Sequence, residues 1–224
     1  MSANTADIGE DSWNLIAGEG TFEDTLKNNS RIYGLGTGKN TLRWTITNKN
    51  CKSTDDVVIT NNQPTQADAG VDQTHCSDEA ALYGNSPAVG EGLWTLVSGS
   101  NSVTFQNQTA GNTRVTNLGQ GENTLRWTIT NGNCVSSDEV VITNDNPTQA
   151  FAGRDKSICV DSFRLNGNEA VIGDGSWSVI NGYGDVVDSS DHQSMVQNLG
   201  KGGNVLRWTI NHNGCISYDE VEIS

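Results

Sequence analysis

The sequence predicts an all-β chain of tandem repeats, each a β-sandwich of about 82 residues, in an elongated array. Three observations carry this reading. One block of residues recurs three times, apolar and polar residues alternate strictly inside it, and the composition suits strands and turns. With 26 Asn and 22 Thr among 224 residues, helices are poorly served.

The recurring block is plain to read. Thr41-Leu42-Arg43-Trp44-Thr45-Ile46-Thr47-Asn48 returns as Thr124-Leu125-Arg126-Trp127-Thr128-Ile129-Thr130-Asn131, and again as Val205-Leu206-Arg207-Trp208-Thr209-Ile210-Asn211. Each copy has a Cys seven residues beyond that Trp (Cys51, Cys134, Cys215) and a second Trp upstream (Trp13, Trp94, Trp177). An opening block, Ala67-Asp68-Ala69-Gly70-Val71-Asp72-Gln73, matches Ala150-Phe151-Ala152-Gly153-Arg154-Asp155-Lys156, and a Cys follows each (Cys76, Cys159). The first copy has no counterpart to it. The chain therefore divides into a partial repeat over 1–66 that lacks its first strands, a complete repeat over 67–149 and another over 150–224. It reads as an excised piece of a longer protein. The links 61–66 and 144–149 each hold one Pro, which fixes φ and limits hinge freedom.

Within a repeat, Leu125, Trp127 and Ile129 share one strand face, while Thr124, Arg126 and Thr128 share the other. Trp94 alternates likewise with Leu96, Trp13 with Leu15, and Trp177 with Val179. Turn signals fall at Gly90-Glu91-Gly92, Leu118-Gly119-Gln120-Gly121 and Asn131-Gly132-Asn133. With Leu82, Val103, Phe105, Val115 and Leu118 this gives about seven short strands, the number of an immunoglobulin-like two-sheet sandwich. Both Trp sets are expected in the core, one from each sheet, with the upstream Trp on the third strand. Burying a pair contributes several kcal/mol at ~25 cal/mol per Å2.

Charge narrows the partners. Thirteen Lys+Arg against 27 Asp+Glu give a net charge of −14, which disfavours nucleic acid and anionic membrane surfaces. No apolar run approaches the ~18 residues of a spanning helix, so membrane insertion is not expected.

Chemistry-bearing residues are few. The acidic pairs Asp55/Asp56, Asp138/Glu139 and Asp219/Glu220 recur once per repeat, and adjacent strand residues point to opposite faces. A catalytic dyad needs two converging carboxylates, so no enzyme activity is expected. One acid of each pair is expected beside Arg43, Arg126 or Arg207. Calcium is the one ion the composition admits, with Asp68, Asp72, Asp138, Glu139 and Asp155 as ligand candidates and Asp78, Glu79 and Asp161 nearby. No EF-hand spacing is present, and no other cofactor is implied. His75, His192 and His212 occupy non-equivalent positions.

Five Cys without a CxxC suggest an oxidising setting rather than zinc. Two pairings fit. Within repeats, Cys76–Cys134 and Cys159–Cys215 leave Cys51 unpaired; across repeats, Cys51–Cys76 and Cys134–Cys159 leave Cys215 unpaired. Loop entropy gives ~4 kcal/mol for the first set and ~3.5 for the second. The first is preferred because each complete repeat is then self-contained.

The blocks 69–76, 92–99 and 123–134 resemble the immunoglobulin-like, PKD-related repeats of very large cell-surface proteins of Bacteroidetes, among them gliding-motility adhesins and cargo of the type IX secretion system. The resemblance implies an extracellular, cell-surface, non-enzymatic stalk or adhesin segment whose partners are other repeats of the same protein. Asp24-Thr25-Leu26 is similar to the O-glycosylation acceptor of that phylum. The alternative is a glycan- or surface-binding module acting through loops, since segments 98–112 and 180–194 differ most between copies. The incomplete first repeat is expected to expose a strand edge and to be open to strand exchange.

Overall fold

The computed structural model describes residues 1–100 and 102–224; Asn101, inside the variable segment 98–112, lies outside the described residues. The chain divides into two compact units. One comprises Met1–Gln66, Pro87–Glu91 and Ile129–Ser136, the other Ala67–Ser86, Gly92–Thr128 and Ser137–Ser224. Among the described residues every regular element is a strand.

The first repeat holds β1 (Glu10–Ala17), β2 (Thr21–Phe22), β3 (Ile32–Tyr33), β4 (Gly38–Asn48) and β5 (Cys51–Asn61). They form a sheet in the order β1-β4-β5 and a separate β2-β3 pair. The second repeat holds β6 (Gln73–His75), β7 (Ala80–Tyr83), β8 (Glu91–Ser98), β9 (Thr104–Phe105), β10 (Asn112–Thr116), β11 (Gly121–Asn131) and β12 (Cys134–Asn144). Its sheets run β7-β10-β9 and β6-β12-β11-β8, with β6 parallel to β12. Seven strands in that order, with a parallel first strand against the last, make an immunoglobulin-like β-sandwich. The third repeat holds β13 (Phe163–Arg164), β14 (Asp174–Asn181), β15 (Asp185–Val186), β16 (Met195–Gln197), β17 (Asn204–His212) and β18 (Cys215–Ile223). It repeats the plan as β13-β16-β15 and β14-β17-β18, and a single parallel bridge from Lys156 to Ile223 stands where β6 stands in the second.

Alternation fills the core as the sequence predicts. Asn123, Leu125, Trp127 and Ile129 are buried on one face of β11, and Leu206, Trp208 and Ile210 on β17. In the third repeat these meet Val196 of the opposite sheet and Leu165, just past the end of β13. All six Trp are buried, as expected, but their placement corrects the reading that each sheet supplies one. Both Trp of a repeat lie on the same sheet, on neighbouring antiparallel strands. Trp13 stands directly opposite Trp44, and Trp177 opposite Trp208. The rings pack tilted, with centroids 5.1 Å apart in the first repeat and 5.2 Å in the other two. The third and sixth strands of this topology are adjacent, a fact of strand order that spacing along the chain does not carry.

Glycine makes room for the pair. A Cβ at Gly92 would sit 2.1 Å from the Trp127 ring, and one at Gly175 2.2 Å from Trp208. The first repeat has Asp11 at this position, with its carboxylate accepting the Ala6 amide, and its rings are tilted by 51° rather than 38° or 40°.

Candidate functional site

The residues that recur between copies hold the fold together at three places. The first is the arginine one residue before the downstream Trp. Arg43 Nε reaches Asp56 at 2.7 Å, Arg126 Nε reaches Glu139 at 2.8 Å, and Arg207 Nε reaches Glu220 at 2.9 Å. Each is a cross-strand pair on the solvent face, which bears out the expected neighbour. Arg43 holds the Asp56 carboxyl below the usual carboxylate range through its hydrogen bond. Exposed pairs of this kind contribute little to stability.

The second place is the opening segment. Asp138 Oδ2 accepts the Ala69 amide at 2.8 Å, and Asp219 Oδ2 accepts that of Ala152 at 2.8 Å. In the reverse sense, Asp72 Oδ1 accepts the Val141 amide at 2.8 Å and Asp155 Oδ1 that of Glu222 at 2.9 Å. These carboxylates stitch the opening segment to the last strand. Asp68 Oδ1 closes its own turn on the Gly70 amide at 2.9 Å. The calcium candidates Asp68, Asp72, Asp138, Glu139 and Asp155 thus each have a protein partner. Among the described residues no three His, Cys, Asp or Glu side chains gather as a metal set. Glu79 pairs with Arg114, while Asp78 and Asp161 accept the Leu118 and Leu199 amides through their carbonyls.

The third place is a buried asparagine that the sequence reading missed. Asn40, Asn123 and Asn204 stand four residues before Trp44, Trp127 and Trp208, and each is buried. Asn123 Nδ2 donates to the carbonyls of Gly119, Gly121 and Ile142, and its Oδ1 accepts the Gly119 and Ser100 amides. Asn40 and Asn204 reproduce the three donations, to Gly36, Gly38 and Ile59 and to Gly200, Gly202 and Ile223. One side chain locks the turn before the long strand, as buried polar groups must when they are kept. The signal was an Asn at one fixed offset among so many turn-type Asn.

The cysteines correct both expected pairings. Cys76 is bonded to Cys215, with Cα atoms 5.3 Å apart and a sequence separation of 139. Cys51, Cys134 and Cys159 are free and exposed. The physical reason is visible in the third repeat. Cys215 begins β18, whereas Cys159 follows the segment that bridges to Ile223 at the end of that strand, with the Ile158 amide on the Ser224 carbonyl. Eight residues of strand separate the two ends by roughly 27 Å, far beyond the ~7 Å Cα limit of a disulfide. The parallel first strand carries its Cys to the exit end of a repeat, and the hairpin Cys belongs to the entry end. Across the boundary between the second and third repeats those ends meet. His212 Nε2 also lies 3.7 Å from Asp145 Oδ1, and the Asp145 amide donates to the His75 carbonyl at 2.8 Å. His192 serves through its carbonyl, which accepts the Trp177 indole N–H at 3.3 Å.

Asp24 Oδ1 accepts the Leu26 amide in a tight turn, and the Thr25 side chain is exposed. Asn107 and Asp188 make the same turn with Thr109 and Ser190. The Asp188 carboxyl is held below its usual range by the Ser190 hydroxyl, followed by the Ser190 amide.

No family model matches the chain, and no curated protein matches it. Its fold is similar to tandem-domain structures. A three-domain I-band fragment of titin, I67–I69, is 11% identical over 98% of this chain and 88% of that one, with a TM-score of 0.46. Extracellular domains 3–5 of Drosophila OTK are 8% identical over 96% and 86%, with a TM-score of 0.36. Domains EC1–4 of Drosophila N-cadherin are 11% identical over 98% and 68%, with a TM-score of 0.31.

Proposed function

We propose that the chain is a non-enzymatic structural repeat segment of a large extracellular adhesin or surface filament, of the PKD-related type found in Bacteroidetes. The observation that carries this reading is the Cys76–Cys215 bond, which ties one repeat to the next. A covalent tie between successive repeats has a mechanical use and no evident catalytic one. Disulfides persist in oxidising compartments, which supports a place outside the cell. The recurring polar residues support the same reading, because Asp138, Asp219, Asn123 and Asn204 are all spent on holding strands and turns.

The test is Trp emission during titration with a panel of polysaccharides, with and without calcium. A blue-shifted emission that does not change is the expected result. A saturable shift with one glycan would replace this reading with that of a glycan-binding module acting through the loops.

A further inference from the structure

β5 of the first repeat and β12 of the second are nearly the same strand. Asp55-Asp56-Val57-Val58-Ile59-Thr60-Asn61 differs from Asp138-Glu139-Val140-Val141-Ile142-Thr143-Asn144 only in its second acid. Their surroundings differ sharply. Val140 and Ile142 are fully buried, and so, to within 2%, are Val221 and Ile223 of the third repeat. Val57 is 38% exposed, and Ile59 is only partly buried. What covers β12 is the opening segment. Ala69 and Ala152 sit buried in their cores, their amides on Asp138 and Asp219. Beyond them the chain turns parallel to the last strand, pairing Gln73 with Ile142, Thr74 with Thr143 and His75 with Asn144. In the first repeat a groove of about 420 Å3 lies in the corresponding place, lined by Met1, Ala3, Trp13, Trp44, Asp55 and Val57.

We propose that this groove is a strand-acceptor site, and that its ligand is an extended segment of the type Ala-x-Ala-Gly-x-Asp lying parallel to β5, supplied by polypeptide outside residues 1–66. The two complete repeats define the ligand chemistry. The amide of the second Ala donates to the Asp55 carboxylate, and the Asp of the segment accepts the Val58 amide. The residues that follow pair with Ile59, Thr60 and Asn61. The Gly is required because Gly70 and Gly153 adopt φ of +85° and +100°, which L side chains rarely tolerate. Main-chain pairing at a sheet edge supplies affinity, and the position of the second Ala, buried as Ala69 and Ala152 in the complete repeats, supplies selectivity.

The test adds a synthetic peptide with the sequence of residues 66–75 to the full chain and follows amide hydrogen exchange and Trp emission. Saturable binding with slowed exchange across Val57–Asn61 is expected. A peptide carrying Gly70→Val, or a chain carrying Asp55→Ala, should bind at least tenfold more weakly. A free peptide loses much freedom on docking, so a second protein carries residues 66–81 fused ahead of Met1. In it, Val57–Asn61 should exchange at least tenfold more slowly than in the parent chain. Unchanged exchange in the fused chain, or binding indifferent to Gly70→Val, overturns the proposal.

Discussion

The Asp138 carboxylate accepts the backbone amide of Ala69, a residue 69 positions earlier in the chain. Asp219 repeats the bond with Ala152 at a separation of 67. The equivalent Asp55 faces the groove of the first repeat. Hydrogen bonds to a charged group contribute ~1.5–3 kcal/mol. Asp138→Ala and Asp219→Ala should therefore each lower stability by about that much, read as a fall in the urea midpoint. Asp55→Ala should cost far less, and equal losses at all three sites would show that the amide bond is not the cause.

Gly92 and Gly175 lie under the indoles of Trp127 and Trp208. A methyl group at either would meet the ring well inside van der Waals contact, and overpacking of this kind costs ~1–3 kcal/mol or more. Gly92→Ala and Gly175→Ala should lower the unfolding midpoint and flatten the near-ultraviolet dichroism of the Trp pair. Tolerance of Ala at both positions would mean that the rings move aside freely.

The disulfide closes a loop of 139 residues. Chain entropy for a loop of this length gives ~5 kcal/mol as an upper figure. Cys76→Ser should lower the unfolding temperature as much as reduction of the parent chain does, while Cys51→Ser should leave it unchanged. Non-reducing peptide mapping should recover the peptides of Cys76 and Cys215 joined. Recovery of Cys76 with Cys134 would restore the within-repeat pairing.

The Asp56 and Asp188 carboxyls titrate below the ordinary Asp value, Asp56 through Arg43 and Asp188 through the Ser190 hydroxyl. A carboxyl with a lowered folded-state pKa adds stability that is present above about pH 4 and is lost as pH falls through the lowered value. Both groups are exposed, so the effect on stability is small. Carboxyl carbon resonances followed by nuclear magnetic resonance should show both midpoints depressed. Arg43→Gln should restore the first, and Ser190→Ala should raise the second.

Because Asp68, Asp72, Asp138 and Asp155 accept backbone amides and Glu139 holds Arg126, chelation should leave the unfolding temperature unchanged. A fall on adding EDTA, reversed by calcium, would show that these oxygens are shared with an ion.

Much of the fold was legible because period-two alternation is local. Leu125, Trp127 and Ile129 declare their face within five residues, and the repeat multiplies the signal. The third-strand position of Trp94 followed from counting strands. The pairing of Trp177 with Trp208 did not, since it depends on which strands become neighbours. The Cys76–Cys215 bond was hidden for the same reason: the parallel β6 decides which end of a repeat Cys76 occupies, and loop entropy is blind to that. Asn123 was passed over because its residue type signals an exposed turn, whereas its burial is set by the carbonyls gathered around it.

The sulfur bridge also decides where tension travels. A pull on the two ends runs from the N-terminal side to Cys76, crosses to Cys215 and leaves through the last strand. The covalent path bypasses the chain between the two cysteines, which cannot be drawn out while the bridge is intact. About 460–500 Å of chain is held in reserve until a thiol cuts the bridge. Redox chemistry, more than core packing, then sets how far this part of the molecule can be drawn out.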